Sequence, residues 1–363
     1  MSEQTTLSQK FVSFEDLPAW LGELASGRTV YAPRREGRAV VYRPFAAGDA
    51  LEFAGRPTES AKHALFPRSE GLFSFRKEGD PENPNHRKLS LSEPEEPGQA
   101  VVVGALSCDA RGFFAFDPVY DGCGTEGIAK DVYYLKRREN TVLVVRACKT
   151  ALSTCFCHWT GGGPASTQGA DVLATDVDNG LLLQAVTEKG AALLESSRLS
   201  PATDAQVTSA TAAHAEVEKS MDAAPDLTAV PASLLALFDD KEFWQGQSAG
   251  CISCGACTYL CPTCYCFNLT DESNGIAGTR LRTWDTCMSA LFTLEASGHN
   301  PRQGKAARLK NRVGHKYAYY PNIHGGRFSC SGCGRCIKSC PSSVDIRKIV
   351  LNAINAIKEK ANV

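Results

Sequence analysis

The sequence predicts an α+β fold in two parts. An N-terminal α/β domain over residues 1–245 is built on a short mixed or parallel sheet, and a mainly helical C-terminal domain covers 246–363. Two observations carry this. Continuous apolar runs at 101–106 and 141–145 are separated by helical sequence, the pattern of a βαβ unit. Beyond residue 250, two cysteine runs of identical spacing, each closed by proline, set the second part off from the first. A chain of 363 residues is long enough to bury two cores.

The elements follow in order. Residues 14–24 have the spacing of a short amphipathic helix, and 29–32 with 38–43 read as a β-pair across a polar turn. From 70 to 98 the chain is rich in Pro, Glu and Asn, which suggests an irregular excursion. Val101-Val102-Val103-Gly104-Ala105-Leu106 is a buried-strand run with Cys108 directly after it, and Cys148 lies just beyond the run at 141–145. Ligands gather at the carboxyl ends of parallel strands, so both cysteines are expected at that edge. Segments 171–177 and 181–187 flank Asp178-Asn179-Gly180, a hairpin signal. An Ala- and Thr-rich helix at 203–222 then leads, past Pro225 and Pro231, to a boundary near Gln245.

Met1 to Lys10 is polar and lacks the basic and apolar regions of a secretory signal. No apolar run approaches the ~20 residues of a membrane-spanning helix. The expectation is a soluble, cytoplasmic protein. Sixteen cysteines in such a chain point to metal binding rather than to disulfides.

The first run reads Cys251-Ile-Ser-Cys254-Gly-Ala-Cys257-Thr-Tyr-Leu-Cys261-Pro262. The second reads Cys330-Ser-Gly-Cys333-Gly-Arg-Cys336-Ile-Lys-Ser-Cys340-Pro341. Both match the C-x2-C-x2-C-x3-C-P pattern of two-cluster ferredoxins, in which the fourth cysteine of each run serves the other cluster. Two [4Fe–4S] clusters are therefore expected in a ferredoxin-like domain. One is assigned to Cys251, Cys254, Cys257 and Cys340, the other to Cys330, Cys333, Cys336 and Cys261. Three cysteines on a tight loop can meet three corners of one cubane, and Gly255 and Gly334 permit the backbone this needs. Paired zinc sites share the C-x2-C spacing, but they do not account for eight cysteines in two proline-closed runs. The long insertion at 262–329 is expected to carry a helix over 284–297.

Cys108, Cys148, Cys155 and Cys157 are the right number for a third [4Fe–4S] cluster, and two of them stand at strand ends. Buried free thiols are the plain alternative. His158 could replace one cysteine, although a lone histidine is more often a bystander. Cys264, Cys266 and Cys287 remain as unassigned reserve ligands, and Cys123, in a Gly-rich loop, receives no role. The loop Gly161-Gly162-Gly163 lacks the spacing of a nucleotide-binding motif, so neither NAD nor flavin is expected on this chain, and no catalytic triad is recognisable.

Charge is uneven. Residues 280–363 hold 15 Lys and Arg against 4 Asp and Glu, while the rest holds 24 against 36. Without a nucleic-acid motif, this excess reads as compensation for anionic clusters and as a protein-docking surface rather than nucleic-acid binding. The stretch 302–316, with Arg308, Lys310 and Arg312, is the candidate contact.

These residues resemble the iron–sulfur beta subunit of cytoplasmic sulfhydrogenases and the corresponding iron–sulfur subunit of anaerobic sulfite reductases. The matching features are Ser107-Cys108-Asp109, Cys148 with Cys155-Phe-Cys157, Cys261-Pro-Thr-Cys264-Tyr-Cys266, Trp284 with Cys287-Met288, and the second cysteine run. They extend over roughly residues 101–350, and the first hundred residues match weakly. The resemblance implies a non-catalytic electron-transfer subunit of a soluble anaerobic oxidoreductase complex. Its partners would be a flavin-containing, NAD(P)H-oxidising subunit and a terminal redox subunit of hydrogenase, sulfite reductase or heterodisulfide-reductase type. The competing readings are a self-sufficient reductase with substrate at an N-terminal cluster and a redox-sensing iron–sulfur protein.

Overall fold

The computed structural model describes residues 7–83, 86–122 and 127–361. Cys123 lies outside them. The fold is mixed α/β, with two sheets and a helical C-terminal region.

The chain begins with β1 (Gln9–Ser13), α1 (Leu17–Ala25), β2 (Thr29–Glu36) and β3 (Ala39–Pro44). It continues through β4 (Ser69–Gly79) and β5 (Arg87–Ser92) to β6 (Ala100–Leu106), α2 (Ser107–Tyr120), α3 (Val132–Asn140) and β7 (Thr141–Arg146). Then come β8 (Val172–Val177), β9 (Gly180–Ala185), α4 (Glu188–Leu193), the short β10 (Ser200–Pro201) and α5 (Asp204–Lys219). The main sheet has eight strands in the order β10-β1-β9-β8-β7-β6-β2-β3. Its centre is parallel, because β6 pairs in that sense with both β2 and β7, and β7 with β8. Every residue of β6 is buried, as expected of a strand covered on both faces. Val101 and Val103 pack with Trp20 and Leu21 of α1 on one side. Val102 and Ala105 pack with Phe113 and Phe116 of α2 on the other. A register shift between Val103 and Ala105 makes the end of β6 irregular, and α2 starts there with Cys108 in its first turn. The expected βαβ unit and the hairpin at Asp178 are both present.

The segment 70–98 is not the irregular excursion its composition suggests. It forms β4 and β5, and these join a second, four-stranded antiparallel sheet. The other two strands come from the C-terminal insertion: β11 (Phe267–Ser273) and β12 (Ala277–Trp284), in the order β11-β12-β4-β5. The turn between them is made by Asn274, whose Oδ1 accepts from the amides of Ile276 and Ala277, and by Gly275 at φ 90°. An Asn-Gly pair is a hairpin signal, and this one accounts locally for strands that composition alone does not suggest. The helix expected over 284–297 is absent. β12 runs to Trp284, and Cys287 follows in a turn held by the Thr286 hydroxyl, which accepts from the Met288 amide at 3.1 Å.

The remaining helices are α6 (Val230–Ala236), α7 (Lys241–Ser248), α8 (Ala256–Tyr259), α9 (Lys305–Gly314), α10 (Tyr320–Ile323), α11 (Arg335–Lys338) and α12 (Ile346–Ala361). A π-helical turn, His315–Tyr319, links α9 to α10. Leu234, Trp244, Val313, Tyr317, Ile349 and Val350 form the core of this region. Among the described residues no helix is long and apolar enough to cross a membrane.

Candidate iron–sulfur centres

The two cysteine runs fold alike. In each, the residues on either side of the second cysteine have left-handed backbone: Ser253 and Gly255 (φ 59° and 78°), and Gly332 and Gly334 (φ 62° and 73°). A short helix follows in both cases, α8 after Gly255 and α11 after Gly334. Such alternation turns successive amides toward one side, the geometry of an anion-binding nest. Amide-to-sulfur contacts recur at matching places: Ser253 N to Cys251 Sγ and Gly332 N to Cys330 Sγ, both 3.4 Å. The Val344 amide donates to Cys340 Sγ at 3.2 Å.

Cys251, Cys254, Cys257 and Cys340 line one pocket between the two runs, with Met288 and Leu309 as apolar walls. Cys336 borders the same pocket. Cys261 lies among thiols of both runs, acting on Cys257 as well as on Cys333 and Cys336. Burial pushes the Cys336 thiol up to about 12, against the pull of Arg312, and the neighbouring thiolates Cys333, Cys330 and Cys261 push it further.

The four N-terminal cysteines surround one guanidinium. Arg56 Nη1 is 3.0 Å from Cys155 Sγ and Nη2 is 4.0 Å from Cys108 Sγ, and Cys148 also acts on this charge. Burial pushes Cys157 up to about 12, reinforced by Cys148 and Cys155. The Leu152 amide donates to Cys155 Sγ at 3.3 Å. His158 turns elsewhere: its Nε2 contacts the Asp222 carbonyl at 2.8 Å. In the triple-glycine loop, Gly162 lies against Arg111, whose guanidinium donates to Thr160.

This group abuts the second run. The Phe156 amide donates to Gly332 O at 2.9 Å, and Arg56 Nη2 reaches Cys333 O at 3.5 Å. Behind both, Arg335 meets Asp109 in a buried bidentate ion pair of 2.5 and 3.0 Å.

Part of the C-terminal positive charge is turned inward. Arg308, Arg312 and Lys316 are buried, which removes Arg308 and Arg312 from the expected docking surface. Arg308 donates to Ser253 Oγ at 3.2 Å and Arg312 to Cys257 O at 3.3 Å. Lys316 donates to Thr263 Oγ1 at 2.6 Å. Lys310 stays on the outside, over the Phe238 ring. Burial opposes the charge on Lys316, yet the thiolates of Cys261, Cys264 and Cys330 hold its ammonium well above the usual range. Arg312 is raised the same way by Cys257 and Cys336. Lys62, from the N-terminal half, reaches Cys264 O at 2.8 Å. Burial pulls it down to about 8 against the opposing pull of Cys264, Cys261 and Cys266.

None of Arg56, Lys62, Arg312 and Lys316 forms a salt bridge to a carboxylate among the described residues. A buried cation without an anion costs several kcal/mol. Thiolate-bound iron–sulfur cubanes are anionic, so this donor set fits them. Among the described residues no three His, Cys, Asp or Glu side chains close on a point as one metal ion would require, and a cubane spaces its thiolates more widely. The charge excess of the C-terminal sequence anticipates this compensation. Arg56 and Lys62 stand far from any motif, and nothing in the sequence marks them.

Residues 250–344 match the family model of the 4Fe-4S dicluster domain. A 4Fe-4S dicluster domain is thus present in the C-terminal part of the chain. The chain is similar over 341 residues, at 25% identity, to sulfhydrogenase 2 subunit beta of Pyrococcus furiosus, a match covering 93% of this chain and 95% of that protein. The resemblance to iron–sulfur beta subunits read from the motifs therefore extends over nearly the whole chain, most of its first hundred residues included. No solved structure matches it.

Proposed function

We propose that the chain is the electron-relay subunit of an oxidoreductase complex, passing electrons between a flavin-containing, NAD(P)H-oxidising subunit and a terminal redox subunit. The ligands in this reading are Cys251, Cys254, Cys257 and Cys340 for one [4Fe–4S] cluster and Cys330, Cys333, Cys336 and Cys261 for a second. Cys108, Cys148, Cys155 and Cys157 hold a third. The observation that carries it is the set of cations, Lys62, Arg312 and Lys316 buried and Arg56 half-buried, that face thiols without a carboxylate partner among the described residues. The chain's own residues supply the amides and cations that stabilise reduced clusters, and Phe156 and Gly332 keep the second and third sets adjacent. Bound clusters would supply one-electron transfer.

In the anaerobically purified chain these three clusters should account for about twelve iron atoms, against about eight for the ferredoxin pair alone. Dithionite should reduce them and NADH should not, until a flavoprotein partner is added. Rapid reduction by NADH of the single chain, or stoichiometric zinc without sulfide, overturns the reading.

Crossed ligation has its own check. Cys340→Ser should damage the cluster held by the first run, about 80 positions upstream, because Cys340 opens onto the pocket of Cys251, Cys254 and Cys257. Mössbauer loss confined to the cluster of Cys330, Cys333 and Cys336 would contradict it.

A further inference from the structure

Cys264, Cys266 and Cys287 belong to none of the three sets, yet the fold gathers them. Cys264 and Cys266 follow the first run. The β11–β12 hairpin returns the chain so that the Asp285 amide donates to Cys266 O at 2.9 Å, which brings Cys287 beside Cys266. All three thiols line a single cavity of about 320 Å³. Its far wall is the π-helical turn and the end of α9, contributing Arg312, His315 and Lys316. π-Helical turns are rare and concentrate at functional sites.

The charge pattern repeats that of the other sets. Lys62 and Lys316 both face Cys264, buried and without a carboxylate partner among the described residues. The Arg312 Nε is buried with no hydrogen-bond partner. Three thiolates give three corners of a cubane, and no fourth cysteine lines the cavity. Cys261 contacts Cys264, but the crossed ligation proposed above assigns it to the cluster of the second run.

We propose that Cys264, Cys266 and Cys287 hold a further [4Fe–4S] cluster whose fourth iron faces this cavity without a protein thiolate. That iron would take a small exogenous ligand, anionic or thiol, drawn in by Lys316 and Arg312. The inference rests on the chain being an iron–sulfur protein but not on the identity of its redox partners. An iron lacking a protein thiolate is the one most readily lost on oxidation: one electron passes to the oxidant, a ferrous ion leaves and a three-iron cluster remains.

The test uses the full chain, purified anaerobically. Brief treatment with one equivalent of ferricyanide should generate the EPR signal of an oxidised three-iron cluster, and ferrous ion with dithiothreitol should erase it. Cys287→Ala should lower the iron content by about four atoms and abolish that signal while leaving the EPR of the other reduced clusters in place. Added cyanide should shift the reduced spectrum of the wild type and not that of Cys287→Ala. Retention of wild-type iron and of the three-iron signal in Cys287→Ala overturns the proposal. Should that variant fold poorly, a wild type that yields no three-iron signal and no cyanide shift overturns it equally. A chain with no iron or sulfide at all would instead defeat the relay reading.

Discussion

Replacing Asp109 by Ala is expected to destabilise the protein by about 3–5 kcal/mol, the usual cost of stripping one partner from a buried ion pair. Asp109 sits in the first turn of α2, one residue after Cys108, and Arg335 sits one residue before Cys336. Arg335 also donates to Pro57 O at 3.3 Å, so the carboxylate is its sole anionic partner in the salt-bridge network of the described residues. Its loss leaves a charged guanidinium enclosed. Anaerobic denaturant titration should show the midpoint fall, and iron analysis should show loss weighted toward the second and third sets. The double variant Asp109→Leu with Arg335→Met should recover much of the stability, since replacing both charges with apolar groups of similar size is often neutral. A single variant within about 1 kcal/mol of wild type would show that the pair is not buried in solution.

Gly334→Ala is the second large effect. The backbone there is left-handed, and a Cβ would overlap the carbonyl oxygen of Thr154, which is main chain and cannot rotate aside. Strain of about 1–3 kcal/mol from the backbone alone adds to the cost of moving residues 154–157 away. Gly255 has nearly the same φ, but a Cβ there meets only side-chain atoms, the nearest being Thr286 Cγ2 at 3.1 Å. Gly255→Ala should therefore be milder. The expected result is loss of the Cys155–Cys157 site in Gly334→Ala and its retention in Gly255→Ala, read by iron content and EPR. Equal effects would mean that the two runs are equally crowded, contrary to the packing described.

Local patterns are readable where they suffice to define an element. The apolar runs mark β6 and β7, and Asn179-Gly180 marks the hairpin of β8 and β9. The eightfold width of the main sheet is not readable, because β1 and β10 join it through long-range pairing that leaves little local trace. The second sheet is hidden for a related reason. Strand β11 is exposed along its length, as is most of β5, and their apolar alternation is short, two residues in each (Phe267 and Leu269, Leu89 and Leu91). The charge excess after residue 280 reads, from composition, partly as a docking face. Composition counts charges but does not say which way they point, and Arg308, Arg312 and Lys316 point toward cysteine-bearing segments. Arg56 and Lys62 carry no motif at all, and only folding brings them beside thiols that follow much later in the chain.

The pairing of β4 with β12 has a consequence for how the protein is made. Arg76 lies opposite Ala277, about 200 residues later. At synthesis rates of about 5–20 residues per second, the β4–β5 hairpin waits roughly 10–40 s on the ribosome with one edge unpaired. Arg335, the buried partner of Asp109, emerges later still. Exposed strand edges invite association with other chains, so the β4 edge passes through an interval of vulnerability that ends when β12 pairs with it. On the proposed ligation, insertion of a cluster into the second set would follow translation of Cys336, and the loop of Cys155 and Cys157 gains its support from Gly332 only then. On that ligation, assembly of the metal centres would be tied to completion of the chain, and a truncated product would retain cysteines but not their folded surroundings.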